Sequence, residues 1–260
     1  GKMKSVTVSS RAGRWYISVQ VEQEVDISPH PCKSEIGIDA GITCFAAFSD
    51  GTMVDGVHSF RKHRERLVRE QRKLAHKKKG SNNWKKQKQR ISRLHHRICN
   101  VRSDFLHKLS TQISENQARV YVEKLQIKNM SASARGTIDA PGRCVRAKSG
   151  LNRSILDQGW YTFRRQLDYK LAWKGGELVE VDYRHTSQRC SVCGYTAKEN
   201  RPAQALFRCM ACGHEENADV NAARNIITAG QAGIACVANY KGSRQQEPAM
   251  ICEENLPLIL

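Results

Sequence analysis

Two closely spaced cysteine pairs constrain this chain more than any other feature. Cys190 and Cys193 form one C-x-x-C pair, Cys209 and Cys212 form a second, and fifteen residues separate the two. Zn²⁺ is bound by four soft ligands at tetrahedral corners, and two C-x-x-C turns joined by a short hairpin supply them. The spacing therefore predicts a zinc site within the stretch 186–227. The alternative is a pair of disulfides.

The other cysteines argue against a disulfide framework. The remaining six have no regular spacing: Cys32, Cys44, Cys99, Cys144, Cys236 and Cys252. Such scatter is typical of a protein kept in a reducing compartment. No apolar run is long enough to span a bilayer, and the start of the chain does not have the form of a signal peptide. We expect a cytoplasmic protein with no membrane contact.

The net charge of +18 is concentrated in one segment of the chain. Residues 61–108 contain eighteen Lys and Arg against three acidic residues, a net charge of +15. A field of one sign favours a polyanion, because phosphate contacts release condensed counterions. The alternative is a solvated helical face, but solvated faces usually mix charges of both signs. The charge pattern predicts a nucleic-acid partner.

The same segment has the apolar spacing of two helices. Apolar residues recur at three- and four-residue intervals in its second half and more sparsely in its first half. A Gly- and Asn-containing turn at 77–83 separates the halves. We predict a long basic helical hairpin over 60–115.

Strand patterns surround this hairpin. An opening β-hairpin is predicted near 4–9 and 14–21, and strands are predicted at 36–39, 42–48, 52–57, 118–122 and 177–181. A mobile loop at 131–150, one amphipathic helix from Ile155 to Leu171, a helix at 218–229 and a disordered tail at 231–260 complete the prediction. The order β-β-β-α-β-α-β-α is typical of a mixed α/β fold.

Three carboxylates stand at comparable places in this pattern. Asp39 and Glu123 each close an apolar strand, and Asp219 falls in the first turn of the last helix. Carboxylates from neighbouring strand ends and one adjoining helix can converge on hard divalent cations. Two such ions activate a water and stabilise the leaving oxygen of a phosphodiester without a nucleophilic side chain. Singly, each acid also has an ordinary structural explanation, as a turn, strand-end or helix-N-terminal residue.

Together these motifs resemble a known family. GIDAG around Asp39, VYVEKLQIKNM around Glu123, and TSQRCSVCG…CMACGHEENADVNAARNI are similar to the three RuvC-type motifs and zinc ribbon of TnpB (OrfB) proteins. These are insertion-sequence-encoded relatives of compact type V CRISPR effectors. The likeness runs from about Ser34 to Ile227, with the motifs in the family's order.

The resemblance implies an α/β, RNase H-like (RuvC-type) domain of mixed sheet and flanking helices that cuts DNA, guided by an RNA from the element's own end. Asp39, Glu123 and Asp219 would be the catalytic acids, binding Mg²⁺ or Mn²⁺, and the four cysteines would bind structural zinc. The nuclease domain would cover 31–185 and 215–230, with the basic hairpin 60–115 and a zinc ribbon at 186–214 inserted. Residues 1–30 would be the last hairpin of an N-terminal domain, so we expect a chain truncated at its N-terminus.

The basic hairpin would hold phosphates of the guide–target duplex, reading shape rather than base sequence. The candidate contact residues are Arg61, Lys62, Arg64, Arg69, Arg72, Lys77, Lys78, Lys79, Lys85, Lys86 and Arg90.

Two other classes of protein are alternatives to an RNA-guided endonuclease. A non-catalytic zinc-ribbon nucleic-acid-binding remnant of a decayed element needs no acid triad, and all three acids are present. A transposase of the HUH type needs two histidines flanking one residue, and the nine histidines include no such pair. The chain also has no P-loop for nucleotide hydrolysis.

Overall fold

The computed structural model describes residues 1–182 and 186–237, and these fall in two compact units. One unit contains residues 1–26 and 57–105, and the other contains 27–56 and the described residues from 106 onward. No helix in the described residues is both long and apolar enough to cross a membrane.

The first unit begins with an antiparallel β-hairpin of β1 (Lys2–Arg11) and β2 (Arg14–Glu22). Its turn places Ala12 at φ +50° and Gly13 at φ +79°, a left-handed conformation that glycine adopts without strain. The predicted hairpin is present, one or two residues longer at most ends.

The basic segment forms the two predicted helices, α1 (Ser59–Ala75) and α2 (Asn82–Asn116). A small apolar core joins α1 to the first half of α2, with Leu67 1% exposed. This core consists of Phe60, Leu67, Ile91, Leu94 and Ile98, with Leu74 packed against it. The apolar stripe read from the sequence is therefore the contact face, and the basic residues lie outside it.

The second unit is built on a five-stranded mixed sheet. Its strands in chain order are β3 (Glu35–Ala40), β4 (Ala46–Phe48), β5 (Met53–Val54), β6 (Arg119–Glu123) and β7 (Glu177–Val181). Their order across the sheet is β5-β4-β3-β6-β7. The first three strands form an antiparallel meander, and β6 and β7 run parallel to β3.

The chain after β6 forms two helices, α3 (Ile127–Met130) and α4 (Val145–Gln158). Two further helices, α5 (Trp160–Trp173) and α6 (Ala218–Val237), pack on the sheet. Helix α6 approaches β3 so closely that a Cβ on Gly37 would collide with the carbonyl oxygen of Ala223. The alternate residues Ile36 and Ile38 point to the opposite face and are buried. Helix α5 packs on β7, and Phe163 meets Phe45 edge to face at 5.1 Å between ring centroids.

The structure corrects five of the predicted elements. The strands predicted at 42–48 and 52–57 are shorter, and α4 begins at Val145, inside the segment predicted to be a mobile loop. The single helix predicted through Ile155 and Leu171 is two helices, because Gly159 adopts φ +76° between them. Helix α6 continues to Val237, so residues 231–237 are helical rather than part of a disordered tail. The rest of the predicted tail lies outside the described residues.

The cysteine segment forms a small unit of its own between β7 and α6. A two-stranded antiparallel sheet of β8 (Leu206–Arg208) and β9 (Glu215–Asn217) follows a single 3₁₀ turn at Lys198–Asn200. Phe207 is fully buried between the cysteines and the start of α6. This core connects the cysteine pairs directly to the helix that carries Asp219.

Candidate functional site

Asp39 and Glu123 lie side by side at one edge of the sheet. Strands β3 and β6 are parallel neighbours, and Ile38 is paired with Val122. Asp39 and Glu123 are the next residues along each strand, and both side chains are half-buried. The parallel register, which the sequence does not reveal, therefore brings these two predicted acids together.

Asp219 approaches this edge from the first turn of α6. The Asn217 side chain caps the helix, since its Oδ1 accepts hydrogen bonds from the backbone N–H groups of Asp219 at 2.9 Å and Val220 at 3.3 Å. The Asp219 carboxylate forms an ion pair with the Arg201 guanidinium at 3.1 Å. Asn217 is thus the helix cap, and Asp219 is oriented by both contacts.

The charges of Glu123 and Asp219 both act on Asp39. The pKa of Asp39 is raised from 3.8 to about 7, first by burial and then by the charges of Glu123 and Asp219. The Arg201 charge opposes that rise. Burial also raises the pKa of Glu123, and a hydrogen bond from Thr186 opposes it. Arg201 compensates this group of acids only in part, since the pKa of Asp39 stays raised, and a divalent cation would relieve the remaining repulsion.

The donor chemistry fits a hard cation. All three groups are carboxylates, and Mg²⁺ and Mn²⁺ prefer oxygen ligands. Within the described residues the only set of three or more His, Cys, Asp or Glu side chains close enough to share one metal ion is the cysteine set. The acids are therefore more widely spaced than a closed ligand cage. Mg²⁺ suits such a site, because it retains several waters and needs only one or two protein carboxylates.

Helix α6 is also tied to β3 beside Asp39. Arg224 on α6 donates from Nε to the backbone oxygen of Ser49 at 3.2 Å. Ser49 in turn exchanges two hydrogen bonds with Gly37, each 3.0 Å long. The strand and the helix that carry Asp39 and Asp219 are thus connected through the turn after β4.

The four paired cysteines converge as predicted. Their Sγ atoms all lie within 4.8 Å of one another, with Cys190–Cys212 at 3.7 Å and Cys193–Cys209 at 3.5 Å. Sulfurs at the corners of a tetrahedral zinc site are about 3.8 Å apart, given a Zn–S bond of ~2.3 Å. A disulfide would require ~2.05 Å, so the alternative of two disulfides does not match the geometry.

The two cysteine turns repeat the same backbone geometry. Gly194 donates its N–H to the Cys190 carbonyl, and Gly213 donates to the Cys209 carbonyl, both at 3.0 Å. Both glycines have positive φ, +77° and +72°. The Cys212 backbone N–H lies 3.5 Å from Cys209 Sγ and is the first of several contacts that lower the pKa of that thiol to about 6. The pKa of Cys193 is raised to about 12, in part by the three neighbouring sulfurs. The two turns therefore present the four sulfurs to a common point.

The predicted nucleic-acid contacts lie on the first unit, and all except Lys77 are exposed. Arg64, Arg69 and Arg72 line one shallow groove along α1. Lys78 and Lys79 are in the turn between α1 and α2, and Lys85 and Lys86 are in the first turns of α2. This is a broad basic surface rather than a pocket.

Two residues at the acidic site were not identified from the sequence. Arg201 lies in the loop before β8, and no local pattern predicts that its side chain reaches Asp219. Thr186 donates its hydroxyl to Glu123 Oε1 at 2.8 Å. The sequence identifies Thr186 only as the first residue of the cysteine motif. Its contact with Glu123 joins residues 63 positions apart, which no local pattern predicts.

Comparison with known proteins agrees with this arrangement. A family model described as "Probable transposase" (OrfB_IS605) matches residues 18–134, and a Cas12f1-like TNB domain model matches residues 160–226. "Putative RNA-guided DNA endonuclease InsQ" of Escherichia coli (strain K12) is 54% identical over 250 residues, covering 95% of this chain and 62% of that protein. A "Putative RNA-guided DNA endonuclease" of Streptomyces pristinaespiralis is 37% identical over 243 residues, covering 93% of this chain and 56% of that protein.

A solved structure, "Cryo-EM structure of CRISPR-Cas12f Ternary Complex", aligns with a TM-score of 0.48 and 19% identity, covering 85% of this chain and 44% of that chain.

The chain is a mixed α/β protein with an acidic sheet edge and a four-cysteine cluster. Over most of its length it is similar to proteins of the TnpB (OrfB) family. The chain spans about 60% of the length of the two curated relatives.

Proposed function

We propose that this chain is the nuclease portion of a TnpB-type, RNA-guided DNA endonuclease linked to transposition. The observation that carries the proposal is the meeting of Asp39, Glu123 and Asp219 from two strands and a helix. The mutual effect of their charges on the pKa of Asp39 supports a shared site. The names of the two curated relatives, both given as RNA-guided DNA endonucleases, support the reaction and the nucleic-acid partners.

The strand arrangement supports an RNase H-like, RuvC-type domain. An antiparallel meander of three strands followed by two strands parallel to the first is the sheet order that this assignment expects. In this assignment the basic helices and the cysteine segment are insertions between sheet elements. The four sulfurs would hold structural zinc, since all four positions are closed by cysteine and none is open for water.

Each residue of the acidic site has a distinct task in this proposal. Bound Mg²⁺ or Mn²⁺ ions would supply an activated water and a stabilised leaving oxygen for phosphodiester hydrolysis. Asp39, Glu123 and Asp219 would hold those ions, with Asp219 oriented by the Asn217 cap. Arg201 adds a positive charge 3.1 Å from Asp219, at a position suited to contact a phosphate oxygen of the strand being cut.

The basic surface of α1 and α2 would bind the guide RNA, derived from the element's end, and the target DNA. Its exposed Lys and Arg side chains suit phosphates, and Arg64, Arg69 and Arg72 line an open groove on it. Recognition would therefore depend on the geometry of the RNA–DNA duplex, with sequence read by base pairing.

The test replaces Asp39 by alanine. Because the chain spans part of the length of its relatives, we would graft it into the matched region of the E. coli relative and assay with guide RNA, target DNA and Mg²⁺. We expect Asp39→Ala to reduce cleavage by at least about a thousandfold while target binding changes less than about threefold, since the acid acts only through the metal.

Asp50→Ala is the matched control, because Asp50 is an exposed carboxylate in the turn between β4 and β5. Undiminished cutting by Asp39→Ala would overturn the assignment. A parent graft that binds its target without cutting it would favour the non-catalytic binding module instead.

A further inference from the structure

Two buried asparagines on α6 hold the segment that leads into the cysteine cluster. Asn221 is fully buried and Asn225 is 5% exposed. They are four residues apart, so they lie on one face of the helix. Both side-chain Nδ2 atoms donate to the backbone oxygen of Arg189, at 2.8 and 2.7 Å.

The hydrogen bonds from Asn221 and Asn225, which we call the asparagine clasp, extend to both ends of this segment. Asn225 Nδ2 also donates to the backbone oxygen of Thr186 at 2.8 Å, and Asn221 Oδ1 accepts from the backbone N–H of Ser191 at 3.0 Å. A buried amide left without partners costs about 1–3 kcal/mol, so these side chains hold the segment in one position. Residues 186–191 are thereby fixed to the helix that carries Asp219.

The segment presents one hydroxyl to the acidic site. Thr186 Oγ1 donates to Glu123 Oε1 at 2.8 Å, and the backbone oxygen of the same residue is held by Asn225. Thr186 is buried, and Glu123 is half-buried at the end of β6. A hydrogen bond on one carboxylate oxygen sets the rotation of that carboxylate and thus the direction of its other oxygen.

We propose that Thr186, held by Asn225, is a positioning residue that orients Glu123 for divalent metal binding. This rests on the proposed function, because it assumes that Glu123 is a metal ligand. Helix α6 then carries Asp219 itself and orients Glu123 through Asn225 and Thr186. One helix therefore fixes the positions of two acids that are far apart in the chain. Hydrogen bonds that orient a ligand typically contribute tenfold to a hundredfold in metal affinity.

The experiment measures Mn²⁺ binding to the zinc-loaded chain without nucleic acid, from the electron paramagnetic resonance signal of free Mn²⁺. Thr186→Val preserves shape and removes the hydroxyl, and we expect it to weaken Mn²⁺ binding about tenfold. Thr186→Ser restores the hydroxyl and should bind within about twofold of the parent chain. Asn225→Ser, which shortens the asparagine clasp without touching Glu123, should weaken binding in the same direction.

Thr228→Val is the control, because Thr228 is on the same helix and its hydroxyl donates to the backbone oxygen of Arg224. It should leave Mn²⁺ binding unchanged. Zinc content and melting temperature are measured for every variant. If Thr186→Val loses its zinc or its fold, the Mn²⁺ affinities of Asn225→Ser and Thr186→Ser decide whether Thr186 orients Glu123.

Parental Mn²⁺ affinity in Thr186→Val and Asn225→Ser, with weakened affinity in Asp39→Asn, would overturn the positioning role and leave the nuclease assignment intact. Parental affinity in Asp39→Asn as well would show that the acids do not form the Mn²⁺ site, and the proposed function would fail with it.

Discussion

At the scale of single residues, burial and charge together distinguish Asp39 from an ordinary strand-end acid. An exposed aspartate at a turn keeps a pKa near 4, whereas Asp39 is raised to about 7 by burial and by two neighbouring acids. A group with this environment is a functional-site candidate on physical grounds. The ordinary structural explanation for Asp39 alone does not account for the grouping of three acids.

The raised pKa makes the stability of the protein without divalent cations depend on pH. The folded state binds a proton at Asp39 up to pH ~7, and the unfolded chain releases it near pH 4. The free energy of unfolding should therefore fall as the pH rises from about 4 to 7, at up to ~1.4 kcal/mol per pH unit. Urea unfolding of zinc-loaded protein at pH 5.5 and 7.5 measures this loss.

Three comparisons test the origin of that dependence. Asp39→Asn should flatten it, since the amide does not ionise, and Arg201→Gln should extend it to higher pH by removing the charge that opposes the rise in the pKa of Asp39. Mg²⁺ at pH 7.5 should restore stability by binding the ionised acids. An unchanged slope in Asp39→Asn would mean that another group is responsible.

At the scale of elements, α6 is the part of the fold on which most of the site depends. Its first turn carries Asp219, its buried asparagines hold the entry to the cysteine cluster, and its Arg224 reaches the turn beside β3. Gly37 permits this because any side chain at that position would collide with the helix backbone. The cysteine segment is thus connected to the acids through one helix.

Removing the metal from the cysteines should open this segment while the sheet remains folded. In Cys209→Ser, we expect amide hydrogen exchange at residues 190–214 to accelerate by at least about a hundredfold, since structural zinc supplies ~10 kcal/mol or more to small zinc domains. The amides of β6 and β7 should keep their protection. Cys144→Ser is the control, because Cys144 is exposed and lies outside the four-cysteine set.

Hydrogen exchange measured by mass spectrometry, together with zinc content, checks this expectation. Protection of residues 190–214 that survives in zinc-free protein would contradict a structural role for the metal.

At the scale of the whole molecule, the chain contains two units with separate cores and different chemistry. The apolar core between α1 and α2 supports the basic surface, and the sheet with its helices supports the acids. The acidic residues proposed to bind metal and the basic residues proposed to bind phosphate therefore lie in different parts of the chain.

Truncation of one core should therefore weaken one unit selectively. Leu67 is 1% exposed in the core of α1 and α2, and Leu167 is fully buried in α5. Each Leu→Ala change should cost about 2–5 kcal/mol of local stability through a cavity. We expect Leu67→Ala to accelerate hydrogen exchange in α1 and the first half of α2, and Leu167→Ala to accelerate it in β7 and α5. Equal acceleration in both units from either change would contradict separate cores.

The amino-acid sequence by itself determined the elements with strong local signals. Two C-x-x-C pairs fix which cysteines converge, the 3.6-residue periodicity fixes α1 and α2, and the apolar runs ending in acids locate β3 and β6. Tertiary structure alone decided the parallel register that sets Asp39 beside Glu123, and the approach of Arg201 and Thr186 to the acids. Local patterns encode only what a residue does with neighbours a turn away, whereas these contacts join residues 18 to 63 or more positions apart.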